Sequence, residues 1–171
     1  WVPAGLGSIA GGYVHYPLDD LMSVLALESE RHACLVVGED LGTVPPEMSH
    51  AMDDRAVYSY RVLLFAKRAD GSFIAPGEYP RRAIATATTH DLPTLRGYWS
   101  GGDIDLRQRL SLYPNEETRQ HVADERVRDR HALLGALADT GLKPAAASAA
   151  PDAYTDELAY AIHVYLAQTA S

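Results

Sequence analysis

Leu18, Leu21, Met22 and Leu25 recur at helical spacing, which predicts a helix over residues 17–31. Pro17 suits its opening, because the N–H it lacks has no helical partner at that position. Asp19 and Asp20 favour the positive end of the helix in the first turn. The pattern then changes to a continuous apolar run, Ala33-Cys34-Leu35-Val36-Val37, stopped by Gly38. Such a run reads as a strand covered on both faces, the kind found in parallel sheets. A short helix is expected over 46–54, a second strand over 57–65, a turn at Asp70-Gly71 and a third strand over 83–88. Helices alternating with strands of this kind define a mixed α/β class with parallel strands. Beyond Trp99 the pattern is helical over 103–112, 115–139 and 152–168, the last carrying Tyr154, Leu158, Ile162 and Tyr165 or Leu166 on one stripe. Residues 143–151 are low in complexity and read as a mobile linker. The expected division is therefore 1–99, a helical segment 100–142, a linker 143–151 and a helix 152–171.

Composition narrows this picture in a few places. With 47% apolar residues among 171, the chain has enough material for a core, and no run of about 18 apolar residues suggests a membrane span. The formal net charge of −8, with arginines interleaved among acids, argues against nucleic acid. Cys34 stands alone, so no internal disulfide forms; this fits a reducing, cytoplasmic setting. Inside its apolar run it is expected to be a small core residue. The chain opens on Trp1-Val2-Pro3 rather than Met and reads as a piece of something longer.

Two polar clusters directly follow strand candidates: Gly38-Glu39-Asp40-Leu41-Gly42 and Thr89-His90-Asp91-Leu92-Pro93-Thr94. In parallel α/β folds, and above all in (β/α)₈ barrels, catalytic groups stand at the carboxyl ends of strands. Glu39 and Asp91 lie roughly two βα units apart along the chain. Carboxylates around one pocket suit glycosidic chemistry, one donating a proton to the leaving oxygen and another attacking or steadying the anomeric centre. The alternative for Glu39 is a strand-end carboxylate capping the turn that follows, and for Asp91 an ordinary helix cap. The His90-Asp91 dyad admits a rival reading as part of a metal-dependent phosphohydrolase site. That reading needs further ligands, and His15, His32, His121, His131 and His163 occupy ordinary surface or helical positions. Tyr13, Tyr16, Tyr98 and Trp99 are candidates for stacking on sugar rings, with core packing as the alternative for each.

The motifs carry a specific resemblance. Tyr13-Val14-His15-Tyr16-Pro17-Leu18-Asp19-Asp20-Leu21, Leu25-Ala26-Leu27-Glu28-Ser29, and Gly38-Glu39-Asp40-Leu41-Gly42-Thr43-Val44-Pro45 resemble, in order, the bacterial amylomaltases (4-α-glucanotransferases or disproportionating enzymes, glycoside hydrolase family 77). So do Val57-Tyr58-Ser59-Tyr60, Ala75-Pro76-Gly77-Glu78-Tyr79-Pro80 and the run from Thr89 through Asp91 to Trp99. The likeness is dense over residues 1–114 and looser beyond. It implies part of a (β/α)₈ barrel, about three parallel strands followed by helical segments. It also implies a retaining double displacement that moves α-1,4-glucan units onto the 4-hydroxyl of an acceptor sugar. By the same resemblance Glu39 is the general acid/base, Asp91 the transition-state-stabilising carboxylate and His90 a substrate-binding neighbour. Asp40 lies inside the motif without a catalytic part.

The resemblance assigns no nucleophile within this chain, since the family's Arg-x-Asp-His type motif is not among these residues. A second departure is Ala66, after Phe65, where relatives often carry an acid. The resemblance implies no cofactor and no metal, and maltodextrin or starch-derived oligosaccharide with an acceptor sugar as partners. An incomplete barrel would expose strand edges, so self-association through them, and no transferase activity of the piece alone, are expected. A non-catalytic carbohydrate-binding or structural role is the alternative for the isolated chain.

Overall fold

The computed structural model describes residues 1–171, apart from the side chain of residue 149. The chain divides into two units, Trp1–Ser59 and Tyr60–Ser171.

In the first unit, helix α1 spans Leu18–Arg31 with Pro17 as its N-cap, one residue earlier than expected for a proline inside the first turn. Its ends obey the helix dipole, with Asp19 and Asp20 in the first turn and Arg31 in the last. Of the predicted stripe only Met22 is buried, Leu18 is half-buried, and Leu21 and Leu25 are exposed. Helix α2, Pro46–Asp54, begins with Pro46 in its first turn and buries Ala51 and Met52. These pack with Met22 and Val57, flanked by Leu18, Val36 and Met48, into a small core. Arg55, capping the end of α2, reaches Asp19 at 2.9 Å and ties it to the start of α1.

The strand expected over 33–37 shrinks to one parallel bridge, Val37 with Tyr58. Tyr58 N–H donates to the Val36 carbonyl at 2.9 Å, and its own carbonyl accepts from Gly38 N–H at 2.8 Å. Ala33 adopts φ 49°, a left-handed conformation that breaks the extended run just after the helix. Cys34 is consequently exposed, not a core residue; its N–H donates to the Ser29 carbonyl as part of the helix exit.

The second unit, from Tyr60 on, holds all but the first residue of strand β1, Ser59–Val62, which pairs with strand β2, Ala83–Thr86, in a two-stranded parallel sheet. The expected strand over 57–65 ends early because Leu63–Phe65 curl into a 3₁₀ turn. That turn buries consecutive Leu63 and Leu64, which strict strand alternation would have sent to opposite faces. Helix α3, Leu95–Ser100, is short and was not expected; it buries Leu95, Tyr98 and Trp99. Thr94 caps its N-terminus, and Gly101, at φ 77°, turns the chain into helix α4, Gly102–Arg109. Helix α5, Glu116–Asp139, is capped by Asn115 and buries Leu133, Leu134 and Leu137. Helix α7, Asp156–Ala167, buries Leu158, Ile162, Tyr165 and Leu166 along the predicted stripe. Between them, Ala146–Ala149 form the one-turn helix α6, with Ala147 buried. The Trp99 indole N–H donates to the Pro151 carbonyl at 3.2 Å, so this stretch is held against α3. Together these elements bear out the expected partial α/β fold with parallel pairing.

Candidate functional site

Glu39 belongs to the first unit. It follows directly on the Val37–Tyr58 bridge and on Gly38, whose backbone passes against Met52: a Cβ there would lie 2.6 Å from the Met52 terminal methyl. The absence of a side chain at Gly38 lets the bridge end close to α2 and turn outward, and Glu39 projects into solvent while Asp40 is half-buried. Position after a parallel pairing is thus as expected, although only one bridge, not a full strand, precedes it.

His90 and Asp91 belong to the second unit, in the loop between β2 and α3. The structure brings these two side chains together, His90 Nε2 lying 3.3 Å from Asp91 Oδ2. Both are open to solvent, at 80% and 77% side-chain exposure. The loop beneath them is built by threonines. Thr88 Oγ1 donates to the Pro93 carbonyl at 2.8 Å, and Asp91 N–H donates to Thr89 Oγ1 at 3.3 Å. Leu92 N–H donates to the Thr89 carbonyl at 3.2 Å, and Thr94 Oγ1 accepts from Gly97 N–H at 3.1 Å. These hydroxyls lie outside the acidic and aromatic pattern of the sequence; their signal is the side-chain-to-backbone bonding that Thr favours at turns and helix starts.

Below the loop lies a polar framework. Arg126, the only buried charged side chain among the described residues, makes a two-pronged bond to Asp103 at 2.8 and 2.9 Å. Its guanidinium also donates to the Tyr98 carbonyl and stacks 3.5 Å from the centre of the Tyr98 ring. Burial pushes the Asp103 carboxyl up, and the facing guanidinium overcomes this, leaving it below the ordinary value of 3.8. Tyr98 hydroxyl donates to Asp129, which also pairs with Lys67 Nζ at 2.7 Å. Burial foremost, then Asp129, raises the Tyr98 phenol, keeping it a neutral donor. A recess of about 430 Å³ opens beside this framework, lined among others by Phe65, Lys67, Leu92, Pro93 and Arg107. Phe65 presents an exposed ring there. Of the other aromatic candidates, Tyr98 and Trp99 are core residues, whereas Tyr13 and Tyr16 are exposed. Among the described residues no group of three or more His, Cys, Asp or Glu side chains is placed to hold a metal ion.

The fold and these loops define a parallel α/β segment with acidic residues following its paired strands. Comparison with known proteins names the family. The sequence profile of the 4-alpha-glucanotransferases matches residues 1–171, and the chain belongs to that family. It is 43% identical over 166 residues to the 4-alpha-glucanotransferase of Haemophilus influenzae, covering 97% of this chain and 23% of that protein. A 4-alpha-glucanotransferase of Mycobacterium bovis is 33% identical over 175 residues, covering 100% of this chain and 23% of its own length. The crystal structure of amylomaltase from Corynebacterium glutamicum superimposes with a TM-score of 0.87 at 29% identity, over 99% of this chain and 24% of that one. The chain therefore spans about a quarter of the length of the relatives it matches.

Proposed function

We propose that these residues work within a 4-α-glucanotransferase that moves α-1,4-glucan segments from a maltodextrin donor to the 4-hydroxyl of glucose or a maltodextrin acceptor. Glu39 protonates the glycosidic oxygen as the donor bond breaks and a carboxylate attacks the anomeric carbon, giving a covalent glycosyl-enzyme. Glu39 then removes the proton of the acceptor hydroxyl, whose oxygen attacks the same carbon and releases the carboxylate. Asp91 steadies the positive charge of both transition states and His90 holds the same sugar. The attacking carboxylate comes from polypeptide outside these 171 residues, so the chain alone does not turn over. The observation that carries this reading is placement: Glu39 follows the Val37–Tyr58 pairing, His90 and Asp91 follow β2, and the family profile spans the whole chain. The same reading assigns the enzyme no cofactor and a cytoplasmic place in maltodextrin metabolism.

The test is disproportionation of maltotriose, followed by glucose release and by longer maltodextrins. This chain is carried in place of the matching stretch of the H. influenzae relative. Glu39→Gln is expected to lower the rate about 10²–10⁴-fold, and Asp91→Asn about 10²–10³-fold. A Glu39→Gln variant that keeps its rate rejects the assignment. Maltose binding by the chain with no turnover in the chimera would favour a purely sugar-binding role.

A further inference from the structure

Asp91 and His90 are four-fifths exposed, so no packing within their unit holds their side chains. Where the carboxylate stands is then set by the backbone of the loop, and the loop is closed by few bonds. β2 ends at Thr86 and α3 begins at Leu95. Between them the Thr88 hydroxyl spans the base, donating to the Pro93 carbonyl at 2.8 Å, with the Thr89 carbonyl at 3.4 Å as a lesser second approach. Inside that closure the Thr89–Leu92 turn carries His90 and Asp91 at its tip, through Leu92 N–H to the Thr89 carbonyl and Asp91 N–H to Thr89 Oγ1. Past it, Thr94 caps α3, whose Tyr98 and Trp99 are anchored in the core. One end of the loop is thus fixed by the strand, the other by a buried helix, and the Thr88 hydroxyl couples the two ends.

We infer that Thr88 is a positioning residue for Asp91: its hydroxyl bond to the Pro93 carbonyl closes the β2–α3 loop and sets the place of the carboxylate at the tip. The effect on turnover rests on the function proposed above; the effect on the loop does not. Displacement of a catalytic group by about 1 Å is enough to cost up to about 100-fold in rate. Valine replaces the hydroxyl by a methyl of similar size, whereas serine keeps the hydroxyl.

The experiment pairs Thr88→Val with Thr88→Ser. In the chimera on maltotriose, Thr88→Val is expected to lower kcat about 10–100-fold with KM within about twofold, because the role assigned to Asp91 is exerted in the transition state. Thr88→Ser is expected to restore kcat to within a few-fold of the parent. In this chain itself, amide hydrogen exchange at Asp91 and Leu92 is expected to speed up on Thr88→Val and not on Thr88→Ser, with the amides of Leu133–Leu137 unchanged. Unaltered exchange in Thr88→Val, or Thr88→Ser as impaired as Thr88→Val, overturns the inference. Asp91→Asn retaining full activity would reject the proposed function, while the exchange measurement still decides what Thr88 does to the loop.

Discussion

At the scale of single residues, two positions show what this fold demands. Gly38 has an ordinary backbone conformation, so its requirement is space: the added Cβ of alanine would meet Met52 at 2.6 Å for the methyl and 3.1 Å for the sulfur. The obstacle is the end of a flexible side chain, so Gly38→Ala is expected to cost about 1 kcal/mol, the low end of overpacking. Shortening the obstacle in Met52→Leu should recover part of it; equal urea midpoints for all variants would contradict this. Arg126 is different, because it is buried and its partner Asp103 is half-buried. Arg126→Met leaves the Asp103 carboxylate, only 19% exposed, without its two-pronged donor, and is expected to cost about 3 kcal/mol by urea unfolding. The double variant with Asp103→Asn should lose less than the two single costs together. The pH dependence has a definite sign. Asp103 is held below its ordinary value, so it contributes stability above about pH 4, lost as pH falls through the lowered value. The acid side of the stability curve should be flatter in Arg126→Met than in the parent.

At the scale of elements, helix ends follow local rules well. Asn115 Oδ1 accepts from Thr118 N–H at 2.8 Å, and Thr155 Oγ1 accepts from Leu158 N–H at 3.2 Å. Asn115→Ala and Thr155→Ala are each expected to lower stability by about 1 kcal/mol, measured by thermal or urea unfolding. Such caps, the apolar stripe of α7 and the charged face of α5 are all readable from neighbouring residues, because a helix satisfies its own backbone within a few positions. Strands were less legible. A strand needs a partner, and 33–37 finds one only at Val37, while Leu63 and Leu64 abandon extension to bury together. α3 carries little local signal because its six residues include a glycine and two large aromatics, and its stability comes from burying Tyr98 and Trp99 rather than from propensity.

At the scale of the whole chain, the unburied apolar surface stands out. Leu21, Val24 and Leu27 on α1 are each more than half exposed, as is Leu35, and in the second unit Leu110 and Leu112 are also open. Among the described residues β2 has a strand neighbour on one side only. Unpaired edges and exposed apolar side chains favour association, so we propose that the isolated chain associates with itself. Sedimentation over a range of concentrations should show weight-average mass rising above that of one chain; a monodisperse 18.6 kDa species throughout would contradict the proposal.

The family, the α/β class, the helices of eight residues or more and the acidic motifs are legible in the sequence alone, because each of these is written in residues close together along the chain. The tertiary structure decided where strands truly pair, which aromatics are core, and how the His90-Asp91 turn is closed. Those depend on contacts between residues far apart or on single hydroxyl bonds. Neither Thr88 nor the Arg126–Asp103 pair carries a periodic signal, and their meaning comes only from what folding sets against them.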